Sequence, residues 1–149
     1  MGNVFSEVYQ KFKLHYYRDV FRCIRNRELS LSTVETLSVE IIAALKNPTI
    51  NEFANYINIS FPNATYKVNS LMQKGYVEKI QSDSDKREYK LRVTDKYYKY
   101  YNLSQKYLEV VENRIKDSFT PEEYENFTRM FEKISNELMP EEDIPGKEA

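Results

Sequence analysis

The chain is poor in the residues that most catalytic or disulfide-stapled proteins need. One cysteine, Cys23, in 149 residues leaves no intramolecular disulfide framework and fits a reducing compartment. There is one histidine, His15, and neither a Gly-rich phosphate loop nor an HExxH motif. His15 and Cys23 lie eight residues apart, so a metal site would need carboxylates from elsewhere. The carboxylates stand mostly at helix starts and in the tail, where charge stabilises a terminus or stays solvated. The expectation is therefore no enzyme, no cofactor and no metal. No apolar run approaches the ~20 residues that span a bilayer. The start of the chain lacks the apolar core of a signal peptide. Both observations point to a cytoplasmic protein with no membrane partner, in which the Asn-x-Ser/Thr sequons carry no glycan.

What is present is charge, unevenly spread. Residues 60 to 93 hold seven Lys/Arg against four Asp/Glu, whereas residues 117 to 149 hold three against ten, within a net charge of −1. Electrostatic attraction is local, because salt screens it beyond ~8 Å. A basic middle and an acidic tail thus allow nucleic-acid binding despite the near-neutral total, although acidic tails also occur in proteins that bind none.

Residues 49 to 93 organise the rest. Thr49 with Glu52 forms a capping box, and Ile50, Phe53, Ala54 and Ile57 follow at the spacing of one buried helical face. Asn58-Ile59-Ser60 reads as a turn, and Pro62 suits the start of the next helix, expected over 61 to 74. Ala64, Val68 and Leu71 share its inner face. Asn63, Tyr66, Asn69, Ser70 and Gln73 lie opposite, polar and almost uncharged. Asn and Gln can bond base edges in a major groove, and Tyr and Ser suit bases or phosphates; the alternative is an ordinary polar surface. Gly75 closes the helix. Strands are expected over 76 to 80 and 89 to 93, joined by a charged loop with Asp85, Lys86 and Arg87. Two adjacent cations at a hairpin tip suit phosphates or a minor groove, or serve only solubility.

The run from Asn58 to Thr94 resembles the MarR family of bacterial transcriptional regulators. The matching features are Thr65, Leu71, the Lys74-Gly75 helix end, Asp85 and Arg87 of a D-x-R wing, and Thr94 opening the next helix. The likeness is strongest over about 45 residues, and flanking helices fit the family's layout from near residue 4 to near 139. Tyr97 and Tyr66 depart from the family's pattern, where Gly and Arg are frequent. The resemblance implies a homodimer bound to a near-palindromic operator on double-stranded DNA, more often as a repressor than an activator. Carried onto this sequence, it places Ser60, Asn63, Thr65, Tyr66, Asn69, Ser70, Lys86 and Arg87 at DNA, with Asp85 positioning the wing by pairing with Arg87.

The flanks are helical in pattern. Residues 4 to about 27 carry a broad stripe of Phe5, Val8, Tyr9, Phe12, Tyr16, Val20, Cys23 and Ile24. Such width calls for more than one neighbour, a partner subunit included. Ser32 with Glu35 starts a helix with Val34, Leu37, Ile41 and Leu45 inward, ending near Lys46. Thr94 is expected to cap a long helix to about 118, with Tyr97, Tyr101, Leu108, Val111 and Ile115 in line. Thr120, Pro121 and Glu123 start another, with Tyr124, Phe127, Phe131, Ile134 and Leu138 at spacings of 3 and 4.

The resulting expectation is a mainly α fold with a small β-hairpin wing. Residues 31–93 form a winged helix-turn-helix, 1–30 with 94–139 a helical dimerisation region, and 140–149 an acidic, disordered tail. Tyr16, Tyr17, Tyr97 and Tyr101 are candidates to line a pocket, and the resemblance implies a small phenolic or acidic ligand there; equally, they could fill an interface. Cys23 is a candidate redox sensor by the same resemblance, or a small hydrophobe on its stripe. The rival function is a winged-helix protein-interaction module without a transcriptional role.

Overall fold

A computed structural model describes residues 2–25, 31–81, 84, 87–100 and 103–142. Asp85, Lys86, Tyr101, most of the acidic tail and the side chain of Cys23 lie outside the described residues. The chain divides into two compact units, residues 13–103 and residues 1–12 with 104–149.

The larger unit holds the winged helix-turn-helix. Helix α1 (Val4–Arg25) runs across the division, and its second half contributes Val20, which is buried. Helix α2 (Thr33–Ala44) begins at a capping box: the Ser32 hydroxyl accepts from the Glu35 amide, and the Glu35 carboxylate accepts from the Ser32 amide. Its buried residues are Thr36, Ser38, Val39 and Ile42; of the expected Val34, Leu37, Ile41 and Leu45, Ile41 packs half-buried against the core and Leu45 is half-buried. Val34 and Leu37 are exposed. The reason is local: Thr36 and Ser38 return their hydroxyls to the carbonyls of Ser32 (2.9 Å) and Val34 (2.7 Å), so each is buried with its donor satisfied.

Helix α3 (Ile50–Ile57) starts at the Thr49–Glu52 box and buries Phe53 and Ala54, with Ile50 and Ile57 packed beside them. Asn58 ends it in the left-handed region at φ 56°, which Asn tolerates better than most residues. Helix α4 (Phe61–Gln73) follows, capped by Ser60 and buried through Ala64, Val68 and Leu71. Gly75 takes φ +83°, its amide bonding the Met72 carbonyl and the Tyr76 amide reaching back to Leu71. That double return closes the helix and needs a residue without Cβ strain at position 75.

Strands β1 (Val77–Gln81) and β2 (Tyr89–Val93) pair antiparallel, with Val77 opposite Val93 and Gln81 opposite Tyr89. The first strand begins one residue later than expected: the amide of Tyr76, itself fully enclosed, is spent on the Leu71 carbonyl at the helix end. Leu91 inserts into the same core, and its amide donates to Pro48 at 2.7 Å, stitching the wing to the start of α3. Helix α5 (Asp95–Tyr100) comes next. Thr94 opens it, its carbonyl accepting from the Tyr97 and Tyr98 amides, while its hydroxyl donates to the Gly75 carbonyl at 2.6 Å. Tyr97, expected on a dimer stripe, is only 2% exposed within the winged core.

The smaller unit contains helices α6 (Leu103–Ser118) and α7 (Pro121–Lys133), the latter continuing as a π-helical turn over Ile134–Leu138. Thr120 and Glu123 form the expected capping box. Phe119 meets Phe127 edge-on at 5.7 Å, and Phe127 lies 4.3 Å from Phe131. Among the described residues of this unit none is buried, and Val4, Phe5, Tyr9, Leu108, Phe131 and Leu138 are all exposed.

Leu71 is fully enclosed where α4 meets the core. Leu71→Ala is expected to cost about 2–5 kcal/mol in urea unfolding. Gln73→Ala, on the outer face two residues away, should stay within about 0.5 kcal/mol.

Candidate nucleic-acid interface

Helix α4 offers its outer face from a firm seat. Its cap is the Ser60 hydroxyl, which accepts from the Asn63 amide at 3.3 Å. Apolar burial of Ala64, Val68 and Leu71 fixes its rotation. Its far end is gripped by Glu35 of α2, whose carboxylate accepts from Ser70 at 2.8 Å and from the Lys74 ammonium at 2.9 and 3.0 Å. The same carboxylate closes the α2 capping box. Burial alone would raise the Glu35 carboxyl; the bonds from Lys74, Ser70 and Ser32 outweigh it and hold it below its ordinary range. Lys96 adds a second brace, donating to the Lys74 carbonyl at 2.8 Å and standing 4.5 Å above the Tyr76 ring.

This seating sorts the residues singled out from the sequence. Asn63, Tyr66 and Asn69 project from the outer face, Tyr66 being 77% exposed, and Gln73 continues that row. Ser60 is exposed but its hydroxyl is committed to the cap. Ser70 is half-buried and turned to Glu35, so it seats the helix rather than facing outward. Thr65 is also half-buried, its hydroxyl enclosed at the flank. Arg87 is exposed on the far side of the wing loop, while its neighbours Asp85 and Lys86 lie outside the described residues.

Sequence reasoning missed Glu35 as a clamp, because a capping box accounts for that residue fully. It also passed over Phe61 and Tyr56, two exposed aromatics at the start of α4 and the end of α3. Glu40 was missed too; its one sequence signal is a lone charge inside the apolar run Val39 to Ile42.

The four candidate pocket tyrosines separate. Tyr16 and Tyr97 both lie within the electrostatic reach of the Glu40 carboxylate. Burial first, then the Glu40 charge, pushes both phenols far above their ordinary range, so they stay protonated. Tyr17 is exposed, its ring 6.1 Å from that of Tyr16, and Tyr101 lies outside the described residues. A cleft of ≈ 830 Å³ in this unit is instead lined by Ile42, Lys46, Arg92, Asp95, Lys96 and Tyr98 among others. None of the four candidates lines it. Among the described residues, no group of three or more His, Cys, Asp or Glu is placed to hold a metal. No described helix is long and apolar enough to cross a membrane.

The family model for MarR matches residues 31–89, from the start of α2 to the second strand of the wing. This segment is a MarR-family domain. The chain is similar to the HTH-type transcriptional regulator BilQ of Clostridioides difficile (strain CD3), with 30% identity over 84 residues. That match covers 56% of this chain and 57% of that regulator, so the chain spans little more than half the length of the curated relative. A solved MarR protein from Peptoclostridium difficile DA00132 is 27% identical, with 92% of this chain and 88% of that one aligned at a TM-score of 0.51. FabT of Streptococcus pneumoniae, solved in complex with DNA, is 18% identical. It aligns over 91% of this chain and 94% of its own at a TM-score of 0.57, a likeness of fold. The MarR-family domain is thus the part where sequence and fold agree, and it contains the whole of α3 and α4.

The Glu35 clamp has a pH signature. A carboxyl held below its unfolded value stabilises the fold above that value, near 4.5, and loses the contribution as pH falls through the folded value. Glu35→Gln is expected to cost about 1–3 kcal/mol at pH 7 in thermal or urea unfolding. The gap from the parent chain should shrink below the ordinary carboxylate range. A gap that stays constant down to pH 3 contradicts the clamp.

Proposed function

We propose that the protein is a sequence-specific DNA-binding transcriptional regulator that works as a homodimer. The observation that carries this is α4 itself: a seated helix in a MarR-family domain whose outer face presents Asn63, Tyr66 and Asn69. Two copies related by a two-fold axis place their α4 helices about one helical turn, ~34 Å, apart, which matches a near-palindromic operator. Asn63, Tyr66 and Asn69 face the bases. Ser60 at the helix start and Arg87 on the wing face the backbone, with Lys86 beside it. Repression follows if the operator overlaps a promoter. Residues 1–12 and 104–139 carry exposed apolar side chains that a second copy would cover. The Tyr16–Glu40–Tyr97 group is the place where a small phenolic or acidic ligand would exchange hydrogen bonds and so alter DNA affinity. The reading places the protein in the cytoplasm and gives it no catalytic step.

Exposed Tyr56, Phe61 and Tyr66 on a nearly uncharged face favour a second reading, a winged-helix module that docks on another protein. Capture of genomic fragments at two salt concentrations separates the two. The regulator enriches particular sequences and loses affinity steeply with salt. No retention even at low salt overturns it in favour of the docking module.

On a selected site, Arg87→Ala should weaken all sequences alike and flatten the salt slope by about one for each phosphate that Arg87 neutralises. Asn69→Ala should relax one base pair per half-site, at a cost of about 1–3 kcal/mol for a bidentate contact. If both variants lose affinity evenly over all sequences, the assignment of α4 to the bases is wrong.

A further inference from the structure

We infer that the base pairs read by α4 are A·T pairs, with Asn63 and Asn69 bonding adenine edges and Tyr66 packing on a thymine methyl group. The inference rests on the DNA-binding reading and names the sequence class that the same surface recognises. It comes from which donors the structure leaves available. Guanine is read in the major groove by a bidentate cation on O6 and N7, and cytosine by a carboxylate on N4. Helix α4, Phe-Pro-Asn-Ala-Thr-Tyr-Lys-Val-Asn-Ser-Leu-Met-Gln, contains no Arg, Asp or Glu. Its one lysine, Lys67, is half-buried beside the core residue Val68. Lys74, just past the end, is held by Glu35 at 2.9 Å. Ser70 is held by the same carboxylate. The exposed outer residues Asn63, Tyr66, Asn69 and Gln73 therefore carry no charge for a G·C pair.

What remains suits A·T. Asn63, Asn69 and Gln73 are exposed amides, the group that bonds adenine N6 and N7 as a pair. Tyr66 lies between the two asparagines, three residues from each, and is 77% exposed. An aromatic ring so fully in water is costly to leave there, and the 5-methyl of thymine is the one apolar patch a major groove offers it. Phe61, 50% exposed at the first position of the helix, is placed to do the same. Because these contacts are apolar or neutral, they set sequence preference without adding to the salt dependence, which is left to groups such as Arg87.

The test uses the full chain. Sites are first selected from a random duplex library, and each thymine of the selected site is then replaced in turn by uracil, which removes only the methyl group. A·T pairs are expected at the positions α4 protects. Uracil at one or two of these should weaken binding about fourfold per half-site, the worth of one buried methyl, equally at low and high salt. The penalty should vanish in Tyr66→Ala and persist in Tyr66→Phe, both at an exposed position where folding is not at stake. Selected sites with G·C pairs under α4, or a uracil series without effect, overturn the inference and leave DNA binding intact. Failure to select any sequence overturns the DNA-binding reading itself.

Discussion

A single carboxylate ties α4 to α2. Glu35 belongs to the first turn of α2, where it accepts from the Ser32 amide as half of a capping box. It also accepts from Ser70 and Lys74 at the last turn of α4. Placing a carboxylate in a part-buried position is unfavourable unless its lone pairs are filled, and here donors from two helices fill them. The apolar contacts of Ala64, Val68 and Leu71 set how α4 is rotated, but such contacts are non-directional. The Glu35 bonds are directional and fix where the helix ends. Thr94 and Lys96 reinforce that point by bonding the carbonyls of Gly75 and Lys74. The outer face of α4 is thereby held as a rigid edge, which a surface that reads base pairs requires.

Much of this was legible in the residues because it is local. The three capping boxes at Ser32, Thr49 and Thr120, the inner faces of α3 and α4, and the glycine that closes α4 each depend on neighbours within about four positions. Strand β2 is legible at its observed limits for the same reason, by alternation between turn residues. The misses are cases where a distant partner decided. Tyr97 looked like part of a heptad stripe, yet the winged core and Glu40 claim it. Thr94 opens α5 as expected, but its bond to the Gly75 carbonyl, nineteen residues back, was not announced by its neighbours. In α2, hydroxyls that satisfy themselves on their own backbone can be buried, so polarity misjudged the inward face. Ser70 looked outward by periodicity alone; nothing near it in sequence announces Glu35, thirty-five residues earlier.

The site was legible in kind rather than in detail. A polar, uncharged helix face followed by a basic hairpin was visible from Asn63 to Arg87. Which of those residues project from the helix and which seat it was not, because that depends on how α4 meets α2. The separation is chemically informative. Cations and hydroxyls have been drawn into the seat, leaving amides and an aromatic ring on the outside. In the proposed reading, affinity and preference are then carried by different parts: charge on the wing and its surroundings, neutral contacts on α4.

One such helix, about 20 Å long, covers only part of a groove's turn, so a single copy gives little discrimination. The exposed apolar side chains of α1, α6 and α7 would supply the means of pairing two copies, and the proposed function stands or falls on that pairing. Sedimentation velocity at micromolar concentration, with and without a duplex bearing a selected site, is the direct measurement. The account predicts two chains in solution and two chains on each duplex. A single chain under both conditions would contradict it.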